Sequence, residues 1–103
     1  MNRRRLENRR FAETFSLEVA ALNYICTIGR FPDGRIGEVF LNNHKSNSAA
    51  DVNARDAAIA FSFAVQHGAD PEAVRRALSR DSRGNASGPL GVALDLIAAE
   101  IAP

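Results

Sequence analysis

The side chains best suited to hold an anion lie between residues 34 and 48. Arg35 follows the turn Pro32-Asp33-Gly34, and Asn43, His44, Lys45 and Ser48 fall in a polar loop, Asn42–Ser48, just ahead of an apolar stretch. If that stretch is a helix, its first-turn N–H groups open onto the loop, and such groups bind anions. Arg35, Asn43, His44, Lys45 and Ser48 are therefore candidates for binding a phosphate-bearing ligand. An ordinary polar loop with a helix cap at Ser48 or Asp51 accounts for the same residues and is the simpler reading.

A second chemistry is phosphate contact by arginine. Arg3, Arg4, Arg5, Arg9 and Arg10 fall within the first ten residues, and Arg75, Arg76, Arg80 and Arg83 lie further on. Such clusters can neutralise nucleic-acid phosphates; the first can equally be a solubilising tail. The helices on either side of Gly68-Ala69-Asp70-Pro71 invite a helix-turn-helix comparison. The first of them is too apolar to lie against DNA, and the second has no base-reading face.

No side chains suggest catalysis or metal binding. Cys26 is the one cysteine, set in an apolar run with no histidine beside it; free cysteines are commonly buried. His44 and His67 are far apart and lack ligand spacing. His67 ends an apolar stretch, where a helix dipole favours a cation. The acids are scattered, and Gly84–Gly88 lacks the lysine of a Walker loop. We expect no catalytic residue, metal or cofactor.

Composition supports one compact domain. The 103 residues are 46% hydrophobic and 24% charged, with a net charge of +1, values ordinary for a globular chain. Residues 1–10 hold five arginines against one glutamate; the remainder holds eight basic and eleven acidic side chains. Residues 1–12 read as a flexible arginine-rich arm, and 13–103 as the folded domain. There is no long apolar run for a membrane and no signal-peptide pattern. One cysteine agrees with a reducing compartment, so the expected location is the cytoplasm.

The elements that must position these groups follow from periodicity. Thr14–Val19 alternates polar and apolar, Asn23–Phe31 is rich in β-branched and aromatic residues, and Ile36–Leu41 follows a proline–glycine turn. Short connections make these three an antiparallel meander. A helix over about 50–67 ends at Gly68; Asp70-Pro71-Glu72 starts a second, to about Ser79; Pro89 opens a third with Leu90, Ala93, Leu94, Ile97 and Ile101 at helical spacing. The expected fold class is α+β, with three helices packed on one face of the sheet. The first helix is apolar nearly all round, its narrow outer polar stripe being Arg55, Ser62 and Gln66. A helix of that kind is covered on most sides. Too little chain remains to cover it, so we expect a homodimer. The second helix should bury Val74, Ala77 and Leu78 and expose Arg75, Arg76 and Arg80.

Three segments carry a family resemblance: Gly34-Arg35-Ile36-Gly37-Glu38-Val39-Phe40-Leu41, then Lys45-Ser46-Asn47-Ser48, then Gln66-His67-Gly68-Ala69-Asp70-Pro71-Glu72-Ala73. In order and spacing they resemble the TSCPD domain of adenosylcobalamin-dependent ribonucleotide reductases and of small free-standing bacterial proteins. That family's pattern is approximately G-R-P-x-E-V/I-F, K-x-G-S and Q-H/Y-G-V-P-x-E, and the likeness covers roughly residues 14–98. Asn47 stands where the family often has glycine, and the cysteine-rich segments of the reductases are missing. The resemblance implies descent from, or association with, nucleotide reduction rather than the reaction itself. The expected function is thus a non-catalytic binding module, with a nucleotide-metabolism enzyme or a nucleotide as partner. The alternative is a small nucleic-acid-binding protein.

Overall fold

The computed structural model describes residues 2–101, without the side chain of Ile101; the expectation that Ile101 joins the third helix's apolar stripe lies outside the described residues. Three strands, β1 (Ala12–Val19), β2 (Leu22–Arg30) and β3 (Ile36–Asn43), are followed by α1 (Ala49–Gln66), α2 (Pro71–Ala77) and α3 (Pro89–Ile101). The sheet is antiparallel in the order β1-β2-β3. This is the expected α+β meander with helices. β1 starts two residues earlier than the alternation indicates. Asn42 and Asn43 belong to β3, which shortens the polar loop to His44–Ser48.

Alternation along the strands sets the core. Leu17, Tyr24, Cys26, Ile28, Val39 and Leu41 point to the helical side and are buried, as the period of two requires. Ala54, Ala58, Phe61 and Val65 meet them from α1, and Leu90, Ala93, Leu94 and Ile97 from α3. Cys26 pairs across the sheet with Phe15 on one side and Leu41 on the other. The opposite face carries Thr14, Thr27 and Phe40, with the Thr14 and Thr27 hydroxyls 3.0 Å apart.

The β1–β2 turn is a two-residue connection, Ala20-Ala21, with φ of 52° and 64°. A tight hairpin needs both residues in the left-handed region, where Asn-Gly is the usual choice.

Helix α1 lies along β3, and its polar stripe meets the strand rather than solvent. Ser62 and Gln66 are buried, which corrects their reading as part of an outer stripe. The Ser62 hydroxyl accepts from the Val39 N–H at 2.8 Å and lies 3.1 Å from the Val39 carbonyl and 2.9 Å from that of Ala58. The Gln66 amide donates to the Gly37 carbonyl at 2.8 Å, and the Asn43 N–H donates to Asp51 at 2.9 Å. Residues 37, 39 and 43 have the same parity, so their outward backbone groups line the edge of β3 that no strand covers. From residue 51 to 66 a helix rises about 22 Å, and from 43 back to 37 a strand spans about 20 Å. The stripe and the edge therefore match in length. An uncovered edge is an aggregation liability, and here helix side chains satisfy it.

Two expectations for α2 are corrected. It ends at Ala77, which is exposed, while Val74 and Leu78 are half-buried. Arg75 and Arg80 are also partly buried, because both reach Asp95 on α3.

Candidate functional site

The polar loop is organised around Asp51, whose side chain is 2% exposed. Ser48 caps α1 by accepting from the Asp51 N–H at 3.1 Å, as residues of its type do. The Asp51 carboxylate turns back and accepts from the N–H groups of Asn43 (2.9 Å) and Asn47 (3.0 Å), with Arg55 beside it. Those N–H groups, Asn43 first, and then Arg55 hold its carboxyl below the usual range against the opposing effect of burial. The Lys45 N–H donates to the Asn43 side chain, the His44 N–H to the Asn23 carbonyl and the Ser48 N–H to the Lys45 carbonyl. Ser46 therefore has the one remaining backbone N–H between residues 43 and 48 with no acceptor among the described residues. The chain's own carboxylate is thus the anion bound by the Asn43 and Asn47 N–H groups of the loop, whereas the Ala49 and Ala50 N–H groups of the first turn have no acceptor among the described residues.

The structure gathers Asn43, His44, Lys45 and Ser48 but not Arg35. Arg35 lies at the opposite end of β3, about 25 Å of strand away, where its backbone N–H and Nε both bond Asp33. His44 and Lys45 are exposed and Asn43 is buried. Asn47 has φ of 59°. This left-handed position admits glycine freely and asparagine more readily than other residues. The substitution at this point of the motif thus keeps a backbone that both residues can adopt.

Most of the arginines have partners in the fold. The Arg3 Nε donates to Gln66 at 2.6 Å, and its guanidinium stacks 4.1 Å over Phe63. The Arg4 N–H donates to the Gln66 carbonyl at 2.6 Å, and its guanidinium lies 4.1 Å over Phe31. Arg10 bonds Glu38 and the Glu7 carbonyl. Leu6 packs against the core beside Gly37, where a Cβ would meet it at 2.7 Å. The segment read as an arm therefore lies along the body, without regular structure before Ala12. Arg75 bonds Glu72 and Asp95, Arg80 holds Asp95 through two nitrogens at 2.8 Å, and Arg76 lies 3.8 Å from Glu72. Arg5 and Arg9 make no side-chain ion pair or hydrogen bond among the described residues. A guanidinium engaged this way must leave its partner before it can take a phosphate.

Cys26 is 0% exposed, and burial pushes its thiol up to about 12. It cannot act as a thiolate nucleophile in the folded chain. Among the described residues no group of three or more His, Cys, Asp or Glu is placed to hold a metal. No described helix is long and apolar enough to cross a membrane.

The residues overlooked in the sequence are Asp95 and Tyr24. Asp95 joins α2, the following loop and α3 through Arg75 and Arg80. Tyr24 floors a cleft of about 390 Å³ between α1 and the start of α3. No local spacing signals either, because their partners are 15 or more residues away.

Comparison with curated proteins finds a relative in the vitamin B12-dependent ribonucleotide reductase of Agrobacterium fabrum (strain C58 / ATCC 33970), 38% identical over 66 residues. The match takes in 64% of this chain and 5% of the reductase, so the matched residues correspond to a small segment of a much larger protein. No family model and no solved structure matches the chain. The chain is related to a ribonucleotide reductase through that segment.

Proposed function

We propose that this chain is an accessory binding module of the TSCPD type, derived from a ribonucleotide reductase and without reduction chemistry of its own. The observation that carries the reading is segmental similarity to a B12-dependent reductase in a chain whose one thiol is sealed in the core. Thiol-based reduction needs reactive, accessible cysteines, and Cys26 is neither. The module's work is then association, with a second copy of itself and with an enzyme of nucleotide metabolism.

The outer face of α1 supports self-association. Val52, Ile59 and Phe63 are 40–46% exposed there, and Phe40 and Ile25 are exposed on the sheet. Large exposed apolar side chains in one region mark interaction surfaces. Nucleotide binding at the loop is left out of the proposal, since Asp51 holds the Asn43 and Asn47 N–H groups and places a negative charge where a phosphate would sit.

Two measurements test the reading. Light scattering on the full chain should give a dimer mass, and Ile59→Asp with Phe63→Glu should give a folded monomer by circular dichroism. A B12-dependent ribonucleotide reductase should be retained on immobilised chain and released by the same double variant. A wild-type monomer at micromolar concentration removes the dimer, and no retention of the reductase removes the accessory role.

A further inference from the structure

The cleft above Tyr24 is walled by small residues from separate elements. Ala50, Ala54 and Ala57 of α1 form one side, Gly88 and Gly91 the start of α3, and Leu78 closes an end. Side chains this short leave space between α1 and the start of α3. About 390 Å³ lies within the range of small-molecule sites.

Its polar groups are few: the Tyr24 hydroxyl, the Asn53 and Ser79 side chains, and the backbone at the start of α3. Tyr24 is 4% exposed, and its hydroxyl has no hydrogen-bond partner among the described residues. No fully sealed side-chain N or O atom among them lacks a partner, so this hydroxyl reaches open space, which at Tyr24 is the cleft. α3 begins at Pro89, which has no N–H, and its first helical bond runs from the Val92 N–H to the Gly88 carbonyl. The Leu90 and Gly91 N–H groups donate to nothing among the described residues. The cleft therefore offers the unpartnered hydroxyl of a tyrosine whose body is more than nine-tenths buried, two helix-start donors and the Asn53 and Ser79 side chains, within otherwise apolar walls. No charged side chain lines it.

We propose that this cleft binds a small organic monocarboxylate with an apolar body. Two helix-start N–H groups and a phenol O–H are donors suited to a carboxylate. A phosphate ester, carrying more charge, calls for arginine or lysine, which the lining lacks. The apolar walls take the hydrocarbon or ring. The inference is independent of the reductase relationship.

The test is an NMR titration of the full ¹⁵N-labelled chain with benzoate, and with benzyl alcohol as its uncharged counterpart. Benzoate should shift the Leu90 and Gly91 amide signals saturably, and benzyl alcohol should bind at least tenfold more weakly. Tyr24→Phe should weaken benzoate binding about fivefold or more with the rest of the spectrum unchanged. Ala57→Leu, which fills the cleft, should abolish binding in a chain that still folds. The proposal is overturned if those amides do not shift saturably, if the alcohol binds as tightly as the acid, or if both variants bind like wild type.

Discussion

At Asp51 one carboxylate ends a strand, orders a loop and sits inside the first turn of a helix. Burial alone would raise its pKa, but two backbone N–H donors and Arg55 outweigh that and lower it. The loop's shape thus depends on a charge already present, which is why its donors point inward. Asn47 contributes the left-handed residue that lets its own N–H reach Asp51. Asn47→Gly should leave stability within about 0.5 kcal/mol of wild type, whereas Asn47→Val should cost about 1–2 kcal/mol, because a β-branched residue is strained at positive φ. Urea denaturation of the two variants checks this. Equal losses in both would mean that the side chain, not the backbone, matters there. The Lys-x-x-Ser spacing was legible in the sequence. The inward turn of the donors was not, because their acceptor is also the helix's third residue and could as well have capped it.

Among the elements, α1 and β3 form the pair on which the fold turns. The sequence shows a polar stripe on an apolar helix, and a polar stripe ordinarily faces water. Here the stripe meets the open edge of β3, since the bonding capacity of Ser62 and Gln66 serves a strand edge as well as solvent. Ser62→Ala should destabilise by roughly 1–3 kcal/mol, the cost of leaving the buried Val39 N–H without an acceptor. Calorimetric unfolding would detect it, and a loss no greater than for an exposed serine such as Ser79 would count against edge capping. The hairpin between β1 and β2 gives the opposite sign. Replacing Ala20-Ala21 with Asn-Gly should raise stability by about 1–2 kcal/mol, because left-handed backbone is costly for alanine. An unchanged unfolding midpoint would argue against the tight left-handed turn.

For the whole molecule, charge pairing ties the C-terminal half together. The Asp95 carboxyl is lowered to about 2, by Arg80 first and then Arg75, against the opposing effect of burial. Its unfolded value is about 3.9. A depressed folded value adds stability above the unfolded pKa, and this is lost as pH falls from about 4 through about 2. Asp51 adds to the loss in the same direction. Urea midpoints should therefore drop between pH 4 and 2. Asp95→Asn should be less stable at pH 6 and decline less steeply over that interval; an equally steep decline would mean that other carboxylates govern it. The same pairing bears on nucleic-acid binding. Of the nucleic-acid candidates on α2, Arg75 is held by Glu72 and Asp95, while Arg76 lies 3.8 Å from Glu72 and stays exposed.

The sequence by itself determined what depends on near neighbours along the chain. Strand alternation, the Pro-Asp-Gly turn, a cap at Ser48 or Asp51, the Asp70 cap, Gly68 after α1 and the apolar stripe of α3 are all local; Ser48 is the cap of α1, and the stripe is present at Leu90, Ala93, Leu94 and Ile97. The want of a second thiol is also read from the sequence, and it bounds the chemistry of these 103 residues. Only the tertiary structure decided which polar groups meet one another. Ser62 with Val39, Arg80 with Asp95, Gln66 with Gly37 and Arg3 with Phe63 are pairings between distant residues. Side-chain type constrains such a pairing only weakly, because a hydroxyl, amide or guanidinium has several possible partners and the packing of faces selects one.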